Sequence, residues 1–281
     1  RALIVHQKDP AIAEAAMEAG YNDLLDEDGL VRDGKSEAMI IGLLVAEAAE
    51  KEYVGFIDAD NYFPGAVLEY VRNYAAGFSL TQSPYSMVRI LWHYKPKISG
   101  GVYFRKWGRI SEVTNKYLNS LISSKTGFET EVVRTGNAGE HAMSIKLAEI
   151  LPYASGYAVE PQELISIFEN FGGILPTKDI KVMEQGVDIF QIETRNPHLH
   201  EEKGDKHLNA MLLSSMSTIY HSPLCDREVK QAILAELINQ EILKKGEAPP
   251  PIHINAPLKK VKTNKFVDAI RGDFDKYNVL H

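Results

Sequence analysis

Short apolar runs alternate along this chain with longer stretches of helical periodicity. Residues 2–5 (Ala-Leu-Ile-Val) form a run suited to an interior parallel strand. Pro10 opens a helical pattern over 11–19 that Gly20 closes. Residues 21–25 read as a second strand, and 26–34 as an acidic loop punctuated by glycine. Over 36–50, Met39, Ile40, Leu43, Leu44 and Ala48 share one helical face, and residues 53–57 make a strand that ends in Asp58-Ala59-Asp60. Pro64 stands where a helix over 65–74 begins. This alternation predicts an α/β fold with a mainly parallel central sheet. Residues 87–92 and 102–105 read as antiparallel strands about a turn at Pro96 and Gly100-Gly101, whereas 111–122, 140–150 and 160–171 carry helical periodicity. A long helix over 226–245 is closed by Gly246 and Pro249-Pro250-Pro251. A Lys/Pro-rich stretch over 256–265 then leads to a last helix near 266–277. The expected division is an α/β domain over 1–205 and a mostly helical C-terminal region over 206–281. Arg1 is followed at once by a strand pattern, so the chain is read as entering the fold after its first strand or strands.

Composition narrows the partners. With 281 residues, 44% hydrophobic and 25% charged, the chain can build a sizeable globular core. A formal net charge of −7 argues against nucleic-acid binding, which needs clustered positive charge, but leaves room for a local Lys/Arg pocket. The single cysteine, Cys225, excludes an internal disulfide and a Cys-rich zinc module. No apolar stretch reaches the roughly 18 residues that span a bilayer, and no secretory signal is visible. A cytoplasmic setting with no membrane partner is expected.

Five segments carry candidate chemistry. Asp58 and Asp60 emerge at the carboxyl edge of an apolar strand, where ligands bind in open α/β sheets and where paired carboxylates hold a hard cation that bridges a diphosphate. The same pair could simply cap the next helix. A haloacid-dehalogenase-type phosphatase would need Thr or Val where Tyr62 stands, whereas a nucleotidyltransferase remains compatible. Gly34-Lys35-Ser36 starts a helix, offering backbone N–H groups and a point charge to phosphate without the spacing of a Walker A loop. Gly108-Arg109-Ile110-Ser111 suits an anion through guanidinium, hydroxyl and backbone together, or a capped helix with a surface arginine. In Thr135-Gly136-Asn137-Ala138-Gly139-Glu140, two glycines let backbone approach a ligand, with Asn137 and Glu140 as partners for sugar hydroxyls. Asn196-Pro197-His198-Leu199-His200 sets two imidazoles on an extended loop, donors for a borderline metal or merely solvated side chains.

Taken in order, these segments resemble the mannosyl-3-phosphoglycerate synthase family, related to glucosyl-3-phosphoglycerate synthases, from His6 to about Pro251. The resemblance implies a GT-A (Rossmann-like) retaining glycosyltransferase whose first strand or strands precede Arg1, acting on GDP-mannose and the 2-hydroxyl of 3-phospho-D-glycerate. It implies Asp60 and His200 as metal ligands with Asp58 as a further candidate. Lys35, Asp58, Ala59, Asn137 and Glu140 would lie on the donor side, and Gly108, Arg109 and Ser111 at the acceptor phosphate. Asp58, Asp60, Arg109 and Glu140 would be the catalytic set. The implied cofactor is Mg²⁺ or Mn²⁺, with Co²⁺ or Zn²⁺ compatible, and the implied assembly is a homodimer. Glucosyl transfer, nucleotidyl transfer and a non-catalytic nucleotide-sugar-binding module are the competing readings.

Overall fold

The computed structural model describes residues 2–99, 101–106, 108–177, 179–200, 204–271 and 279–280. Trp107 and the 272–277 part of the expected last helix lie outside the described residues. After β1 (Ala2–Leu3), α1 (Pro10–Glu18) is capped by Asp9, whose carboxylate accepts from the Ala11 N–H at 2.9 Å, with Pro10 supplying a preset φ. α2 (Lys35–Ala48) starts from Gly34, which brings no capping side chain to the first turn. β2 (Tyr53–Phe56) leads to α3 (Ala66–Leu80), entered through Gly65 in the left-handed region at φ 81°. β3 (Ser86–Leu91), the hairpin of β4 (Lys95–Ser99) and β5 (Val102–Lys106), and α4 (Arg109–Thr126) follow. The chain continues through β6 (His141–Ser144), α5 (Ile145–Ala148), β7 (Tyr153–Ala154), α6 (Val159–Phe171), α7 (Ile180–Gln185) and β8 (Asp188–Glu193). α8 (Asp205–His221), α9 (Arg227–Asn239), β9 (Ile254–Asn255), α10 (Thr263–Arg271) and β10 (Val279–Leu280) complete it.

The fold is α/β, and its central sheet is mixed. Among the described residues its order is β2-β6-β3-β8, with β3 and β8 parallel and β6 antiparallel to both neighbours. Three of the four strands share a direction and β6 is inserted in reverse between two of them, so one of the three pairings is parallel and two are antiparallel. This corrects the helical reading of 140–150. His141 to Ser144 are buried on both faces, so no polar face sets a period, and pairing on both edges makes them a strand. Only Ile145–Ala148 is helical, capped by the Ser144 hydroxyl, which accepts from the Leu147 N–H.

Other expectations shift in the same way. Residues 2–3 pair antiparallel with Val279–Leu280 instead of entering the central sheet, and Ile4 is half exposed. Tyr21 to Leu25 form a 3₁₀ turn over Asn22–Leu24, because Tyr21 is buried and its hydroxyl donates to the Ala256 carbonyl at 2.6 Å. β5 pairs with Lys95–Ser99, whereas the 87–92 segment serves the central sheet. α9 stops at Asn239, where Gln240 and a positive φ of 56° at Glu241 turn the chain before Gly246.

Two helical layers pack against the sheet. Ile12, Leu43, Leu44, Met143, Leu258, Phe266 and Ile270 share one apolar cluster, which seats α10 against α1 and α2. Leu118, Leu121, Leu164, Met216, Ile219 and Ile233 form a second, joining α4, α6, α8 and α9. Among the described residues no helix is long and apolar enough to cross a membrane.

Candidate active site

The site forms where the ends of β2 and β6 meet the N-termini of α2 and α6. Lys35, first residue of α2, lies 2.8 Å from the Asp58 carboxylate and 2.9 Å from Glu160 Oε1, in the first turn of α6. Burial opposes the lysine charge, but the Glu160 and Asp58 carboxylates overcome it and raise its pKa well above the ordinary value. Gly139 makes the close approach possible. A Cβ there would collide with Asp58 Oδ2 and lie 2.6 Å from Lys35 Nζ. The glycine is thus needed for space, not for a left-handed conformation.

Glu140 follows immediately and is fully buried, yet neither carboxylate oxygen has a hydrogen-bond partner. Burial first, then the negative charge of Asp58, pushes its carboxyl up to about 8 against the pull of Lys35. A buried polar group left unpaired costs free energy, which suits a group whose partner arrives with a ligand. Asn137 is arranged similarly. Its Nδ2 donates to Ser215 Oγ of α8 at 2.8 Å, while its Oδ1 is unpartnered.

Opposite stands the loop after β8. It is tied to the end of β2, because the Tyr62 N–H donates to the Leu199 carbonyl at 3.0 Å and the Leu199 N–H donates to Asn61 Oδ1 at 3.2 Å. His198 faces Asp60, its Nε2 3.8 Å from Asp60 Oδ1 and 3.7 Å from Glu140 Oε1. Its ring stacks on Trp92 with centroids 4.8 Å apart, and His200 stands beside it at 4.9 Å. Burial and then the neighbouring His200 lower the His198 pKa to about 4, despite Asp60.

Among the described residues no three His, Cys, Asp or Glu side chains converge as a finished metal cage. The donor chemistry nevertheless fits a divalent ion. Carboxylate and imidazole groups of Asp60 and the His198/His200 pair meet at one rim, and Mg²⁺ is usually held by one or two carboxylates with substrate phosphates completing the shell. Asp58 is already committed to Lys35.

The acceptor-side residues divide. Gly108 and Ser111, at the start of α4, line a cavity of about 960 Å³ together with Trp92, Thr135, Lys116 and Arg134. Arg109 turns elsewhere, to an exposed pair with Asp205 at 3.7 Å that contributes little energetically. A second cavity of about 890 Å³ runs along β2 and α2 past Gly34, Lys35 and Asp58.

The structure therefore brings together Lys35, Asp58, Ala59, Asp60, Asn137, Glu140 and His200 around one sheet edge, with Gly108 and Ser111 on an adjoining wall. Sequence reasoning did not single out Glu160, Gly139 for its space, the Trp92 stack, or Arg134 and Lys116 as the cations on the cavity wall. Only the Gly139 position carried a local signal, the second glycine of its loop.

Residues 1–270 match the family model described as mannosyl-3-phosphoglycerate synthase (osmo_MPGsynth). A mannosyl-3-phosphoglycerate synthase of Pyrococcus furiosus is 50% identical over 273 residues, covering 96% of this chain and 69% of that protein. One from Aeropyrum pernix is 38% identical over 275 residues, covering 98% and 70%. Among solved structures, glucosyl-3-phosphoglycerate synthase from Mycobacterium tuberculosis in complex with phosphoglyceric acid is similar with a TM-score of 0.49 and 22% identity, covering 82% of this chain and 67% of that one. By the family match and the two relatives, the chain belongs to the mannosyl-3-phosphoglycerate synthase family.

Proposed function

We propose that the chain transfers the mannosyl group of GDP-mannose, with retention of configuration, to the 2-hydroxyl of 3-phospho-D-glycerate. The observation that carries this reading is the buried, unpartnered Glu140 carboxyl set beside the Lys35–Asp58–Glu160 cluster. One cation and several hydroxyl acceptors at a strand edge suit a sugar diphosphate. Lys35 places its charge toward the diphosphate, held by Asp58 and Glu160. Asn137 Oδ1 and Glu140 take sugar hydroxyls, and the Ala59 backbone borders them. Gly108 and Ser111, with Arg109 once it leaves Asp205, take the acceptor phosphate and fix the acceptor hydroxyl near the anomeric carbon.

Asp60 and His200 would hold a Mg²⁺ or Mn²⁺ ion, with Asp58 or His198 as further donors. Bound there, such an ion would supply charge neutralisation and Lewis acidity to the diphosphate. The acceptor proton passes to the leaving diphosphate oxygen as the new glycosidic bond forms and the bond to that oxygen breaks on the same face. Preorganised electrostatics and positioning supply the rate. The assembly is read as a homodimer working in the cytoplasm, which light scattering of the pure protein and cell fractionation would check.

The decisive test incubates the protein with GDP-mannose labelled at the anomeric carbon, 3-phosphoglycerate and Mg²⁺, followed by NMR. An α-mannosyl phosphoglycerate signal is expected, lost with chelator and in His200→Ala. Product from GDP- or UDP-glucose alone would move the reading to glucosyl transfer. No product with any sugar nucleotide, together with pyrophosphate release from a nucleoside triphosphate, would replace it with nucleotidyl transfer.

A further inference from the structure

One row of side chains across the central sheet is spent on the loop that bears Asn137 and Glu140. In the strand register Phe56 stands opposite His141, His141 opposite Arg89, and Arg89 opposite Gln191. Three of these four reach the preceding loop. Gln191 donates from Nε2 to the Val132 carbonyl at 2.7 Å, and its Oε1 accepts from the Arg134 N–H and the Thr135 hydroxyl, each at 2.8 Å. Arg89 donates from Nε and Nη2 to the Thr135 carbonyl at 3.1 and 2.9 Å. His141 Nδ1 lies 3.0 Å from the Ala138 carbonyl.

The same row is anchored beneath by α6. Glu163, fully buried, lies 2.9 Å from Arg89 Nη1 and 3.1 Å from His141 Nε2, and Arg89 Nη2 donates to the Glu160 carbonyl at 3.1 Å. The Ala138 carbonyl and the Glu163 carboxylate stand on opposite sides of the His141 ring, each within hydrogen-bond distance of one ring nitrogen. Burying a guanidinium, an imidazole and a carboxylate is rarely more stabilising than apolar packing of equal volume. Apart from the bonds to Glu163 and from Arg89 Nη1 to the Met87 sulfur, these arms end on backbone atoms of residues 132–138, on the Thr135 hydroxyl, or on the carbonyl of Glu160, the partner of Lys35.

We propose that His141 and Arg89, anchored on Glu163, together with Gln191 are positioning residues: they clamp the 132–138 segment and Glu160 so that Asn137, Glu140 and Lys35 face the sugar donor in register. Its consequence for catalysis rests on the proposed transferase reading; the clamp itself does not.

Two mild variants test it. Gln191→Met removes three bonds from a half-buried position, and His141→Gln keeps a donor toward Glu163 while giving up the one to Ala138. Backbone hydrogen exchange of residues 132–140 should accelerate in both, with thermal midpoints close to the parent. In turnover, kcat should fall and the KM for GDP-mannose rise, a combined loss on the order of 10²-fold, as misplacement of about 1 Å produces. The KM for 3-phosphoglycerate should not move. Gln191→Glu, which retains both acceptor bonds, should recover much of the Gln191→Met loss. Unchanged exchange in the loop would overturn the clamp. So would donor and acceptor constants worsening together with the thermal midpoint, the mark of a merely structural role. A parent inactive with every sugar nucleotide would sink the transferase reading alone, and the clamp would then stand or fall on the exchange data and on calorimetric binding of GDP-mannose.

Discussion

Replacing Glu140 by glutamine should stabilise the metal-free protein in a manner set by pH. The Glu140 carboxyl moves from an ordinary value of 4.5 to about 8 on folding, because burial and the Asp58 charge penalise its ionised form. The unfolded chain therefore sheds its proton near pH 4.5 while the folded chain keeps it until about pH 8. Below pH 4.5 both states are protonated and nothing is lost. Between the two values stability falls as pH rises, and above pH 8 the penalty is constant. At 1.36 kcal/mol per unit this shift corresponds to at most about 5 kcal/mol. Glutamine has nearly the same shape and no charge to lose. The stability of Glu140→Gln relative to the parent should thus be near zero at pH 4, climb through pH 6 and 7, and level off by pH 9. Urea unfolding in chelator at five pH values measures it. A difference that is flat with pH, or that favours the parent at high pH, would refute the assignment of Glu140 as a carboxyl kept neutral by burial. Turnover should be lost in the same variant, since the group that meets the donor sugar has changed.

Gly139→Ala should cost about tenfold in kcat/KM with little change in the thermal midpoint, because the added Cβ would displace the Asp58 carboxylate and Lys35 ammonium, the ends of side chains free to shift aside, as steady-state kinetics and thermal unfolding would show. Asp226→Ala should destabilise by about 1 kcal/mol in urea unfolding, since the Asp226 carboxylate accepts from the Val229 N–H at 2.9 Å to cap α9. That carboxyl is held below its ordinary value chiefly by the same bond, so its stabilising contribution is present at neutral pH and disappears as pH falls through the acid range. Cys225 is buried and its thiol pushed up to about 11, first by burial. At pH 8 it should react with a disulfide reagent roughly 100-fold more slowly than free cysteine, and at the free rate once unfolded.

Local chemistry wrote the frame of the site. Asp9-Pro10 starts α1, Gly34 precedes α2 and Gly108 precedes α4. The apolar run through Tyr53–Phe56 ends where Asp58 and Asp60 emerge. Each of these signals lies within a few residues of the feature it governs, through caps, glycine freedom or the punctuation of a strand, and a linear sequence displays such signals directly. The resemblance of five short segments to one family was legible for the same reason.

What the chain could not display is which distant groups meet. Glu160 is 125 residues from the Lys35 it holds, Arg89 is 74 from Glu163, and Asn137 is 78 from Ser215. His198 meets Asp60 while its ring stacks on Trp92, and Arg109 pairs with Asp205 across the fold. The strand character of His141–Ser144 came from partners on both edges, after every face was buried and helical periodicity had lost its meaning. Caps and strand ends are fixed by energies within one turn of backbone, whereas ion pairs, stacking and edge pairing acquire their partners only when packing brings remote segments within a few ångströms and strips the water from between them.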